Sequence, residues 1–150
     1  VVISMTESKK NKILAIARKT RRWIKRNAHH YSDVDPEDLN CACAIASARL
    51  LGELLKAGIQ GARIHQNEEH AFLIVDKTHI LDVTATQFGV KKPVVFLTME
   101  EAKEVNIRMG WNTIWSFEGR GFSDPVAFRK YQMKPGSWPR EQTIKMKHLA

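Results

Sequence analysis

At Gly58 the apolar pattern of this chain changes period, and that change constrains the fold more than any single residue. Before it, Ile13, Ile16, Ala17, Thr20 and Ile24 recur at spacings of three and four. About Glu7 to Arg26 therefore reads as an amphipathic helix with a cationic outer face. Tyr31-Ser32-Asp33-Val34-Asp35-Pro36 interrupts it. Asp35 before Pro36, followed by Glu37 and Asp38, is a helix-start signal with acids placed where the dipole favours them. A second helix is expected from there, or from Asn40, to Ala57, with Gly58 ending it. After Gly58 come short, β-rich runs: Ala62 to His65, His70 to Val75, His79 to Val83 and Pro93 to Leu97. With Asp76-Lys77-Thr78 as a turn, they predict an antiparallel sheet packed against the second helix, which is an α+β fold.

A length of 150 residues with 43% hydrophobic content suits one compact domain and is short for two. Within it, residues 7–30 form the basic helix, 36–98 the presumptive catalytic core, and 99–150 a further helix and an aromatic-rich tail. The helix is expected over Met99 to Met109, with Glu100, Glu101 and Glu104 early and Arg108 late. Residues 111–138 hold seven of the twelve aromatics among Gly110, Gly119, Gly121, Gly136, Pro125 and Pro135. They predict an irregular tail that wraps the sheet or roofs a cleft. No run approaches the roughly 18 to 20 apolar residues of a membrane span, and Val1-Val2-Ile3 is too short for a signal-peptide core. A soluble, cytoplasmic protein with both cysteines as thiols is the expectation.

The net charge of +8 sits at one end. Residues 1–30 carry nine basic residues against Glu7, and the remaining 120 carry fifteen of each sign. Lys12, Lys19, Arg22 and Arg26 line up at helical spacing and suit phosphates or an acidic partner, so residues 9–26 are the candidate binding segment for a nucleic acid or an acidic protein. A solvated face is the simpler meaning of such a run, and an anionic membrane surface a weaker one.

Cys41 and Cys43 stand at the head of the second helix, His70 opens one predicted strand and Asp82 lies within the next. A thiol, an imidazole and a carboxylate in that order are the parts of a nucleophilic acyl-transfer site. A cysteine attacks as its thiolate, and a helix N-terminus with a nearby imidazolium is the usual means of acidifying it. With Asn40 as N-cap, Cys43 takes the third helical position. His70 then serves as base and acid, and Asp82 orients its ring. If residues 74 and 78 pair across a three-residue loop, 70 pairs with 82 and both share a face; a one-residue slip separates them. Helical residues two apart point about 200° apart, so only one of the two cysteines can face the site. Asn40 and Gln87 are candidates to polarise a substrate carbonyl beside the Cys43 N–H. Their simpler roles are a helix cap and a strand-end hydrogen bond, and that of the cysteines is core packing. Cys41-x-Cys43 with His65 and His70 makes a poor zinc site, because the thiols diverge and no second cysteine pair exists; no metal or other cofactor is expected. His29 and His30 belong at the solvated end of the basic helix, whereas His65, His79 and His148 have no evident partner.

Cys43-Ala44-Ile45-Ala46-Ser47 through Leu54-Leu55-Lys56-Ala57-Gly58-Ile59, then Ala62-Arg63, His70-Ala71-Phe72 and Ile80-Leu81-Asp82-Val83-Thr84, resemble the core of the transglutaminase-like superfamily. The resemblance covers about residues 40–88, a third of the chain. It implies a papain-like core with Cys43 as nucleophile, His70 as base and Asp82 as orienter. It also implies acyl transfer on amides of a protein or peptide substrate, as protease, glutamine deamidase or transglutaminase. The stretch from Cys43 to Gly58 matches that family's helix, which favours Cys43 over Cys41. Cys43 and His70 are only 27 residues apart, and Arg63 falls one residue late, as in a small, divergent member. The rival expectation is a catalytically silent protein of the same fold that binds a partner through its basic helix.

Overall fold

The computed structural model describes residues 5–31, 34–110 and 114–133. Val1 to Ile3, Ser32, Asp33, Trp111, Pro135, Gly136, Trp138 and His148 lie outside the described residues. Helix α1 (Glu7–Asn27) starts at Thr6, whose hydroxyl accepts the Lys9 N–H. Its inner stripe is the one the spacing predicts, with Ile13, Ala17, Thr20 and Ile24 buried and Ile16 half-buried. Arg21 is buried beside them, which the apolar pattern does not show. The Lys9 ammonium binds both Asp76 carboxylate oxygens (2.9 and 3.0 Å) and so ties the start of α1 to the turn between two strands.

Helix α2 (Cys43–Lys56) begins later than the acids after Pro36 suggest. Residues 36–38 make a single turn, closed by the Leu39 N–H on the Asp35 carbonyl, with the Asp35 carboxylate accepting from Glu37. Leu39 and Cys41 then adopt left-handed conformations (φ 63° and 70°), which no helix can continue through. Asn40 is therefore a turn residue and Ala42 is the N-cap. At the other end Gly58 is left-handed (φ 75°). Its N–H reaches the Leu55 carbonyl and that of Ile59 the Leu54 carbonyl, a Schellman closure. Leu50, Leu51 and Leu54 are buried from α2, each worth about 1.5–3 kcal/mol of apolar burial.

The strands β1 (Ala62–Gln66), β2 (Ala71–Val75), β3 (His79–Asp82), β4 (Val95–Thr98) and β5 (Arg120–Phe122) form one antiparallel sheet in the order β4-β3-β2-β1-β5. Ala71, Leu73, Val75, Leu81 and Val83 face α1 and α2 on one side. Phe72, Ile74 and Ile80 join Val95, Ala102 and Trp115 on the other. Helix α3 (Met99–Met109) opens with a Thr98/Glu101 capping box and covers the second face. The segment expected to be an irregular tail is in part regular. It supplies β5, paired to β1, and α4 (Pro125–Gln132), which packs on α2 with Phe128 fully buried. Among the described residues no helix is long and apolar enough to cross a membrane.

Gly119 (φ 127°) passes so close to strand β1 that a Cβ there would collide with the Gln66 carbonyl oxygen. Gly58, equally left-handed, has no atom within 4 Å of the same position. In urea unfolding, Gly119→Ala is expected to cost more than about 2 kcal/mol and Gly58→Ala only about 1 kcal/mol. Equal losses would mean that the backbone approach at Gly119 is not a constraint.

Candidate active site

His70 precedes the first residue of β2 and Asp82 ends β3. The hairpin pairs Val75 with His79, Ile74 with Ile80 and Leu73 with Leu81, rather than 74 with 78. The turn explains the difference: Asp76 and Lys77 are both left-handed, and the Thr78 N–H closes on the Val75 carbonyl, so pairing resumes at 79. Continuing that register sets Asp82 opposite Phe72, two residues from His70. The shift is even, so the face is kept. The two side chains meet with Nε2 of His70 donating to Oδ2 of Asp82 at 2.6 Å, and both are buried (0% and 1% exposed).

The Asp82 carboxylate is saturated. Oδ2 also accepts the Trp115 indole N–H (2.9 Å), while Oδ1 accepts the backbone N–H of Thr84 (2.9 Å) and its hydroxyl (3.3 Å). Burial alone works to raise its pKa, but the His70 charge and these donors outweigh it and hold the group below the usual carboxylate range. Burial likewise works against the charge on His70. Asp82, by charge and hydrogen bond, and then Cys43 overcome it and push the imidazole up to about 10. The resting pair is an imidazolium and a carboxylate.

With Nε2 committed to Asp82, Nδ1 is the nitrogen left for the thiol. Cys43 acts on the ring through hydrogen bonding and charge, yet Nδ1 makes no well-formed hydrogen bond in the resting geometry. Phe72 stacks beside the His70 ring (5.9 Å) and Phe88 meets it edge-on (4.8 Å), which keeps water from it. Cys43 itself is half-buried and is the first residue of α2, not the third. The helix has no side-chain cap there, so its first-turn N–H groups, which lack intrahelical acceptors, lie beside the thiol.

Asn40 and Gln87 are placed differently from what an oxyanion role asks. Asn40 is exposed, with its N–H on the Asp38 carboxylate and its carbonyl on the Asp35 N–H. The Gln87 amide donates to the carbonyl (3.0 Å) and hydroxyl (3.2 Å) of Thr84. Cys41 lies in the turn before α2, so helical geometry does not set its direction; the two cysteines form no disulfide. His65 Nε2 donates to the Glu118 carbonyl (3.0 Å) and His79 meets the Thr78 hydroxyl (2.7 Å), while His29 and His30 are exposed beyond α1. Among the described residues no three His, Cys, Asp or Glu side chains are grouped to hold a metal.

Three positioning residues escape the sequence reading. The Asn67 carbonyl oxygen accepts the N–H groups of Glu69 and His70 (2.9 and 2.8 Å), while its amide donates to the Ile114 and Ser116 carbonyls (3.0 and 3.2 Å). One side chain thus sets both the approach to His70 and the segment that carries Trp115. An Asn two and three residues before turn amides is a readable signal; Trp115, 33 residues beyond Asp82, has none. Arg21 donates to the Val83 carbonyl (2.8 Å), the Thr86 hydroxyl (3.2 Å) and the Pro93 carbonyl (3.3 Å), and holds the chain just past Asp82. Of the four cations chosen by helical spacing, Lys12, Lys19, Arg22 and Arg26 are all exposed, and Arg22 lines a groove between α1 and β4 that the other three do not line. The chain matches no family model, no curated protein and no solved structure.

Removing one member of a buried ion pair strands the other, so Asp82→Asn is expected to cost about 3–5 kcal/mol in urea unfolding. The pH dependence follows from both shifts. The His70 contribution is complete below its ordinary value of 6.5 and is lost as pH rises toward about 10. The Asp82 contribution is complete above its ordinary 3.8 and is lost on acidification. Stability from the pair should therefore peak between those ordinary values, and the alkaline loss should vanish in His70→Asn. A wild-type curve flat between pH 6.5 and 10 would refute the charged pair.

Proposed function

We propose that the chain is a thiol-dependent acyltransferase acting on amides, built on a papain-like core of the transglutaminase-like kind. The observation that carries this reading is the buried His70–Asp82 pair, with the half-buried Cys43 thiol at a helix N-terminus close enough to act on the ring by hydrogen bonding and charge. The Cys43 thiolate attacks a carboxamide or peptide carbonyl, and the S–C bond forms as the C=O π pair moves onto oxygen. First-turn N–H groups of α2 face that developing oxyanion. The His70 imidazolium gives its Nδ1 proton to the leaving nitrogen as the C–N bond breaks. A thioester remains. His70, now neutral, takes a proton from water or an amine, which attacks the thioester, and the thiolate returns. Asp82 stays ionised throughout and holds the ring in place.

Wild type and Cys43→Ala are compared on cell proteins by intact-mass and peptide analysis. A Cys43-dependent mass gain of about one dalton on a glutamine, a cross-link to lysine, or a cleavage is expected, and each names the acceptor. Identical spectra from the two proteins would end the reading. Alkylation gives an independent check: at about pH 6, iodoacetamide should modify Cys43 at least about tenfold faster in wild type than in His70→Asn. Cys41→Gly, suited to the left-handed backbone at that position, should leave the Cys43 rate within about twofold. Equal rates in wild type and His70→Asn would remove the thiolate–imidazolium pair.

A further inference from the structure

A concavity of the molecule lies away from the thiol. A groove of about 1100 Å³ is bordered by α1 on one side and by the 89–93 loop and the end of α3 on the other. Neither Cys43 nor His70 lines it. Its floor includes Val94, Val95, Phe96 and Leu97 in succession. Alternate residues of a strand face opposite sides of a sheet, so only a strand edge presents consecutive residues to one groove. β4 is the terminal strand of the sheet, with β3 on its other side. The backbone donors and acceptors along that edge have no strand partner among the described residues.

The walls are of one sign. Lys10, Arg18, Arg22 and Lys25 stand on the α1 side and Lys91, Lys92 and Arg108 opposite, with no aspartate or glutamate among the lining residues. Arg18, Arg22, Lys25, Lys91, Lys92 and Arg108 are exposed. The ion pairs of the described residues lie elsewhere, at Lys9–Asp76, Glu53 with Arg49 and Lys56, and His70–Asp82. Arg21 also borders the groove, but its guanidinium is spent on backbone and Thr86.

We propose that this groove takes an acidic, extended polypeptide segment that adds to β4 as a further strand. The edge supplies main-chain hydrogen bonds, the aliphatic floor supplies burial for alternate side chains, and the two cationic walls receive carboxylates that point out of the new strand. The chain's own C-terminal residues are an unsuitable occupant, because Lys134, Arg140, Lys145 and Lys147 outnumber Glu141 there. A second copy carries the same +8. Nucleic acid fits less well, because the floor around Leu14, Val94, Val105 and Met109 is aliphatic, and of the two aromatic side chains that line the groove Phe96 is half-buried and Trp115 only 1% exposed, which makes a poor stacking platform for successive bases. The proposal is independent of whether Cys43 is a nucleophile.

Fluorescence anisotropy on the full chain carrying Cys43→Ala tests it without turnover of the probe. The probe is a labelled peptide of about ten residues alternating Glu and Val. Its comparison probes carry Lys for Glu, N-methyl groups on alternate amides, or are a single-stranded oligonucleotide of equal charge. The Glu peptide should bind, weaken about tenfold or more between about 0.05 and 0.3 M salt, and bind at least about tenfold more tightly than the Lys or N-methylated peptide. Arg18→Glu combined with Lys92→Glu, one on each wall, should weaken it by about tenfold or more with an unchanged melting curve. If that pair does not fold, Arg22→Glu with Arg108→Glu reads the same contacts. Undiminished binding of the N-methylated peptide, tighter binding of the oligonucleotide, indifference to charge reversal, or no binding of the Glu peptide would each overturn the proposal.

Discussion

A carboxylate and an imidazolium held 2.6 Å apart with almost no exposure set the terms for everything around them. A buried charge is tolerable only when paired and hydrogen-bonded, and leaving it short costs several kcal/mol. Asp82 meets that demand with donors from three separate stretches of chain, at His70, Thr84 and Trp115. Those stretches must therefore converge. Asn67 enforces the convergence by gripping the amides that lead into His70 with one end of its side chain and the Ile114–Ser116 backbone with the other. The chain can then run on through Gly119 into β5, where only a missing Cβ allows its approach to β1.

The loop ahead of Cys43 is subject to a second constraint. Leu39 and Cys41 sit in left-handed conformations that cost L-residues about 1–3 kcal/mol each. The surroundings hold them there. Leu39 is fully buried, and the Thr86 hydroxyl donates to the Asp38 carbonyl at 2.8 Å. Thr86 also accepts from Arg21. A chain of bonds thus runs from α1 through the turn after Asp82 to the loop before Cys43, and it couples the placement of carboxylate and thiol. A buried arginine in the inner stripe of a cationic helix is the cost of that coupling: burial pushes its pKa down, and the nearby Asp82 charge works in the opposite direction.

What the sequence shows about this architecture is what repeats or caps. α1, α3, the hairpin turn and the end of α2 at Gly58 all carry local signals, and each lies within a residue or two of where those signals put it. The start of α2 does not, because a Pro followed by acids promotes one turn and says nothing about two left-handed residues beyond it. The hairpin register slid by an even number, so the shared face of His70 and Asp82 survived an incorrect pairing. β5 is three residues long with two exposed, too short to display a period. α4 does carry a local signal: Asp124 accepts the Val126 N–H and Pro125 follows at N1, an ordinary helix start inside a segment whose aromatics and glycines otherwise suggest irregular chain. Trp115 is a contact across 33 residues, and no local pattern encodes that.

Trp115 also links the basic groove with the buried ion pair. Its ring borders the basic groove while its N–H is bound to Asp82. An occupant that leaves the indole in place leaves the ion pair unchanged, and the groove and thiol then act independently. An occupant that displaces the indole removes one donor from a buried carboxylate, a bond worth about 1.5–3 kcal/mol. That value is the ceiling on communication through this residue, because a ligand shifts a site only by its differential interaction with the two arrangements. Communication through Trp115 between the groove and the ion pair is therefore limited to roughly ten- to two-hundredfold. The remaining donors, His70 and the two from Thr84, do not depend on the indole.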